Sequence, residues 1–243
     1  MKKFLSLIGA LSLFYGCQNK TAQTIPSLRF ETSKGLQSAD YNEGMAFWEA
    51  LSQANSDLQL EHFGSTDQGI PLSLVSWKGK GKGEKVRILI NNAIHPGEPD
   101  GVDASMIFMR DLLVNDSLQK AWGNLDIAII PYYNIGGALN RNSHSRANQE
   151  GPIEYGFRGN ARNFDLNRDF IKMDSKNMWA FAEIFHHVNP HVFLDNHVSN
   201  GADYQYTMTY LATQEDKLGG PLGEFMRETF NPGLEQKMAA RSQ

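Results

Sequence analysis

Three short runs, each built around a cluster of apolar residues, constrain this 243-residue chain more than any other feature. They lie at 86–92 (Val86, Ile88, Leu89, Ile90), 125–133 (Leu125, Ile127, Ile129, Ile130) and 191–197 (Val192, Phe193, Leu194). Runs this short, rich in branched aliphatics and bounded by turn formers, predict strands buried on both faces. Between them the apolar period changes to that of a helix. Val102, Met106, Met109 and Leu113 recur on one face of 99–113, and Met178, Phe181 and Phe185 on one face of 175–188. Strands alternating with helices predict an α/β fold, a mixed sheet that is parallel in its centre and flanked by helices.

The flanks are read in the same way. Met45, Trp48 and Leu51 predict a helix over 41–53; 58–62 and 71–77 predict two strands around the turn at 65–69. The alternating Lys–Gly run at 78–83 reads as a solvated, flexible hairpin tip. It is not a phosphate loop, because no Gly-Lys-Ser/Thr follows at the required spacing. A further strand is expected at 204–211 and a helix at 223–230. Residues 27–243 are expected to form one domain, long enough to bury a core of its own.

The N-terminus is set apart from that domain. Lys2 and Lys3 precede an apolar stretch at 4–15 that is too short to span a bilayer. Gly16-Cys17 follows, then a small, polar tether at 18–26. Cys17 is the sole cysteine, so no disulfide can form within the chain. The segment 1–17 resembles a bacterial lipoprotein signal, which implies lipidation at Cys17 and a place in the cell envelope, periplasmic or surface-exposed. The other reading is a plain secretory signal and a secreted protein. Membrane contact is expected only through the lipid anchor. The formal net charge of −4 argues against nucleic acid as a partner, since phosphate binding needs a basic surface.

Chemistry concentrates where the apolar runs end. His95-Pro96-Gly97-Glu98 follows the first run, at the carboxyl end of a strand, where α/β sheets bind ligands. Imidazole nitrogen and carboxylate oxygen are zinc donors. Alone, the pair also fits a solvated turn. Asp195-Asn196-His197 ends the third run and carries another histidine to the same sheet edge, which would complete a two-histidine, one-glutamate site. Alone, His197 also fits a strand-terminal histidine bonded to backbone. His186, His187 and His191 fit cations favoured near a helix C-terminus. The stretch at 134–173 is too long for a passive connection in a compact domain. It contains Arg158-Gly159-Asn160-Ala161-Arg162-Asn163-Phe164-Asp165-Leu166-Asn167-Arg168.

His-x-x-Glu, then Asp-x-Asn-Arg, then a strand-end histidine, in this order, make the chain from about 58 to 210 resemble the carboxypeptidase A-like zinc metallopeptidases. The resemblance implies that His95, Glu98 and His197 hold zinc and that Asp165 orients the first histidine. It implies that Asn167 and Arg168 grip the terminal carboxylate of a peptide substrate. It also implies an arginine on the scissile carbonyl, matched by Arg146 with Arg141 as its rival. The general-base glutamate of the family is expected beyond Gln243, which makes this chain the front part of a longer protein. Two other functions stay open: a zinc deacylase or amidohydrolase on the same fold, and a non-catalytic peptide-binding lipoprotein.

Overall fold

The computed structural model describes residues 25–241. The proposed leader, Cys17 and most of the tether lie outside the described residues. Two compact units are present, one ending at Gly201 and the other beginning at Ala202.

In the first unit, helices α1 (Arg29–Thr32) and α2 (Tyr41–Ala54) precede the hairpin of β1 (Leu58–Ser65) and β2 (Pro71–Lys78). Then come β3 (Val86–Asn91), α3 (Asp100–Val114), α4 (Asp116–Ala121) and β4 (Leu125–Ile130). The long connection that follows carries α5 (Ile135–Leu139), β5 (Arg141–Asn142), β6 (Tyr155–Gly156) and a 3₁₀ turn at Leu166–Arg168. Helix α6 (Lys176–Val188) and strand β7 (Val192–Asp195) complete the unit. The main sheet has the order β1-β2-β4-β3-β7. β4, β3 and β7 are parallel, while β1 and β2 are antiparallel to their neighbours. The second unit holds α7 (Glu215–Leu218), α8 (Gly220–Phe225), a π-helical turn at Met226–Phe230 and α9 (Asn231–Ala239).

Period-two alternation sorts the strands' side chains into two cores. Ile127 and Ile129 of β4 join Trp77 and Val75 of β2 against α2 and α3 (Phe47, Trp48, Met106, Met109). Ala128 and Ile130 face the other way with Leu72, Leu74 and Leu89, against Phe181 and Ile184 of α6. The sheet is therefore covered by helices on both sides, as a parallel centre requires. Sequence-local devices fix the helix starts. Asp40 and Glu43 form a reciprocal capping box at α2, and the Ser175 hydroxyl accepts from the Met178 N–H at α6.

Three expectations are corrected. The Lys–Gly run is not a hairpin tip, because β4 lies between the strands it joins. Its backbone is pinned instead: Gly79 and Gly81 donate to the carbonyls of Leu125 and Gly123. The Lys85 ammonium also donates to three carbonyls, those of Gly79, Gly81 and Gly123. The run at 191–197 is not buried on both faces. β7 pairs with β3 alone among the described residues, which leaves Phe193 and Leu194 38% and 47% exposed. No strand forms at 204–211, where the backbone makes neither helix nor ladder.

Candidate metal centre

The parallel pairing of β3 and β7 sets Asn91 opposite Asp195. Both strands thus release their chains at one edge, and the Asn196 N–H donates to the Asn91 carbonyl to extend the ladder. Side chains bolt the two exits together. Asn196 Nδ2 donates to Asn92 Oδ1 (2.7 Å), and Asn92 Nδ2 donates to the Ser105 hydroxyl on α3 (2.9 Å). Helix α3 can come this close because residue 101 is glycine. A Cβ there would lie 2.5 Å from Asn196 Cβ, inside any contact a side chain tolerates. After β3, buried Ala93 takes a left-handed conformation (φ 57°), which costs on the order of 1 kcal/mol for a residue with a side chain. Such strain is concentrated at functional sites and persists only where the surroundings enforce it.

These exits bring His95, Glu98 and His197 together, with one donor atom of each within 4.8 Å of the others. His95 Nδ1 faces Glu98 Oε1 at 3.1 Å, and His197 Nδ1 faces Glu98 Oε2 at 2.9 Å. Glu98 also accepts from the Val198 N–H (3.0 Å) and pairs with Arg146 Nη1 (3.0 Å). Burial opposes ionisation of Glu98, but its hydrogen bonds with His197 and His95 and from Val198 outweigh burial and hold its pKa far below the usual range. Each imidazole has a carboxylate on its far side. His95 Nε2 meets Asp165 Oδ1 at 3.1 Å, and His197 Nε2 meets Asp195 Oδ2 at 3.0 Å. Asp195, then Glu98, push the His197 pKa up to about 9, against the opposing effect of burial.

The long connection closes over this edge. Asp165 caps the 3₁₀ turn by accepting from the Asn167 N–H (3.0 Å), and its other oxygen is forked by Arg158 Nε and Nη2 (3.0 and 2.9 Å). Burial raises the Asp165 pKa, yet the bonds to His95 and Arg158 prevail and lower it. The loop is anchored from below: Asn160 Nδ2 donates to Asp67 Oδ2, and its Oδ1 accepts from the N–H groups of Arg162 and Phe164.

Of the two rival arginines, Arg146 reaches the cluster. Gln149 Oε1 (2.6 Å) and Asn200 Oδ1 (3.0 Å) hold its guanidinium beside Glu98. Arg141 instead donates to the carbonyls of Ser38 and Glu154. A cleft of about 200 Å³ opens here, lined by Arg146, Asn148, Gln149, Phe157, Arg158 and Asn200. Asn167 and Arg168 stand on the same loop as Asp165 without a bond to the cluster. Arg168 is exposed, donates to the Asn167 carbonyl, and has no carboxylate partner among the described residues. His187 and His191 lie elsewhere, against Phe63 and Arg87. Sequence reasoning missed Arg158, which stood in the quoted arginine run, and Asp195, two residues from His197.

Two imidazole nitrogens and one carboxylate oxygen converging at a sheet edge match the donor set of catalytic zinc sites, and the carboxylates behind the rings match their usual supports. An α/β sheet bearing that set at its carboxyl edge defines the class of candidate zinc hydrolases. Residues 45–207 match the zinc carboxypeptidase family model. The chain belongs to the zinc carboxypeptidase family. It is 28% identical over 114 residues to carboxypeptidase 2 of Trichophyton rubrum, covering 46% of this chain and 18% of that protein. With carboxypeptidase 2 of Trichophyton tonsurans it shares 29% over 119 residues, 49% of this chain and 19% of that one. The fold is similar to a metallo-carboxypeptidase from Burkholderia cenocepacia (TM-score 0.57, 21% identity, 70% of this chain and 43% of that one). It is also similar to a metallo-carboxypeptidase from Pseudomonas aeruginosa (TM-score 0.54, 18% identity, 69% and 41%). The matched stretch spans under a fifth of those curated relatives and about two-fifths of those solved chains.

Proposed function

We propose that this chain carries the metal-holding part of a zinc metallocarboxypeptidase that removes C-terminal residues from peptides. The observation that carries the reading is the His95–Glu98–His197 cluster with a carboxylate behind each ring. A bound zinc ion supplies Lewis acidity and a water of lowered pKa. The protein's own groups do the rest. Asp165 takes the Nε2 proton of His95 in a hydrogen bond and so leaves Nδ1 as the donor. Arg146, already aimed at the cluster, donates to the scissile carbonyl oxygen as negative charge builds on it. Arg168, exposed and without an acidic partner, forks the substrate's terminal carboxylate, with Asn167 beside it.

The test is peptide binding to the zinc-loaded chain, comparing a free C-terminus with its amide. Charge-assisted hydrogen bonds are worth about 1.5–3 kcal/mol, so amidation should weaken binding by about 10- to 100-fold. Equal binding of the two peptides sinks the carboxypeptidase reading. It would favour the deacylase alternative, which the unusual Asp195-Asn196-His197 lead-in also supports.

The same reading places the protein at the cell envelope, anchored through a lipidated Cys17. Lys2 and Lys3, the apolar stretch and Gly16-Cys17 support it. A mature N-terminus beyond Cys17, found by mass spectrometry, would refute the anchor.

A further inference from the structure

His95 and His197 are used alike. Each turns Nδ1 toward Glu98 and Nε2 toward a carboxylate. The family resemblance implies a role for Asp165 and none for Asp195. We infer that Asp195, held by buried Asn91, is the positioning residue that fixes His197 as an Nδ1 metal donor.

Geometry carries the inference. Asp195 Oδ2 lies 3.0 Å from His197 Nε2, while Asp195 Oδ1 accepts from Asn91 Nδ2 at 2.9 Å. Asn91 sits fully buried at the end of β3, directly across the ladder from Asp195. Its amide oxygen is buried without a partner. A buried amide half-satisfied in this way costs about 1–3 kcal/mol. An apolar residue at that strand position would avoid this cost, so what the amide contributes is the bond its nitrogen makes to Asp195. Asn91 spans neighbouring strands to fix one carboxylate rotamer, and that carboxylate fixes the ring. His197 needs such a support more than His95 does. Its side chain is 35% exposed, whereas His95 is packed to 3%. A half-exposed imidazole is otherwise free to rotate and to present either nitrogen.

The inference rests on the zinc reading, and the experiment separates the two. Zinc affinity of the full chain is measured by chelator competition for the parent, Asp195→Ala, Asp195→Asn and Asp165→Ala. Long-range ¹H–¹⁵N spectra of the zinc-loaded forms report the His197 tautomer. Loss of such a supporting carboxylate lowers metal affinity about 10- to 100-fold, and that is expected for both alanine variants. In Asp195→Ala the slowly exchanging Nε2 proton of His197 should disappear, while the His95 signals stay. Asp195→Asn should recover much of the affinity, since its carbonyl oxygen accepts the same proton and a flipped Asn91 amide can pair with its nitrogen. A merely structural role would lower the melting temperature and leave the tautomer and proton exchange unchanged. Parent affinity and an unchanged His197 spectrum in Asp195→Ala overturn the inference alone. A parent that takes up no zinc overturns the metal reading and this inference with it.

Discussion

Replacing His95 with alanine will strip zinc from this chain and leave its sheet folded. Structural zinc sites release about 10–16 kcal/mol on binding, shared among their ligands. Losing one donor of three should therefore cost about two to four orders of magnitude in affinity. The fold survives because neither carboxylate is orphaned. Asp165 keeps the Asn167 N–H and the Arg158 fork; Glu98 keeps His197, the Val198 N–H and Arg146. What remains is a cavity at a site 2% exposed, worth about 2–5 kcal/mol by analogy with other large-to-alanine changes in cores. Zinc content after dialysis, read beside far-ultraviolet circular dichroism, checks this. His191→Ala, outside the cluster, is the control and should retain its metal. Equal zinc in His95→Ala and the parent would end the ligand assignment.

The second large effect is on stability and lies away from the metal. Asp103 on α3 is 4% exposed and faces the segment before α2, where it accepts from the Ala39 N–H at 3.5 Å. Burial, with help from Asp100, raises its pKa to about 6, against the opposing pull of Ser38, the Ala39 N–H and Arg141. In the unfolded chain the value is about 3.9. The folded state thus holds this proton more tightly, so its contribution is full below pH 4 and is lost as pH rises through 6. The loss amounts to ~3 kcal/mol at most. Asp103→Asn keeps the group neutral at every pH. Relative to the parent, it should gain about 2–3 kcal/mol on going from pH 4 to pH 7 in urea titrations. The paired comparison cancels groups shifted the other way, Glu98 and Asp165 among them, whose stabilisation is lost as pH falls. A difference between parent and variant that does not change with pH would show that Asp103 ionises in the fold as it does in water.

Legibility in the sequence followed the range of the interactions. Helices α3 and α6 were readable from their apolar period, because a helix declares its buried face within its own turns. The β1–β2 hairpin was readable from its turn residues. Strand order was not. Nothing within the run at 78–83 says that β4 will insert between β2 and β3, since that is decided by partners some forty residues on. The 191–197 run has the composition of an inner strand, yet burial of Phe193 and Leu194 depends on a neighbour that the ladder lacks among the described residues. Asp195 carried a faint local signal. In extended chain, residues two apart point to the same side, so Asp195 and His197 were placed to meet.

The sequence by itself determined the α/β alternation, because apolar period is a local property of the chain, and its ordered motifs carried the family resemblance that singles out His95, Glu98, His197 and Asp165. Only the tertiary structure decided how these groups serve one another. It laid Arg146 beside Glu98 and Arg141 against the Ser38 and Glu154 carbonyls, brought Arg158 onto Asp165 and set Asn91 across from Asp195. Those choices depend on strand pairing and on how closely α3 approaches at Gly101, which are contacts between residues far apart in the chain.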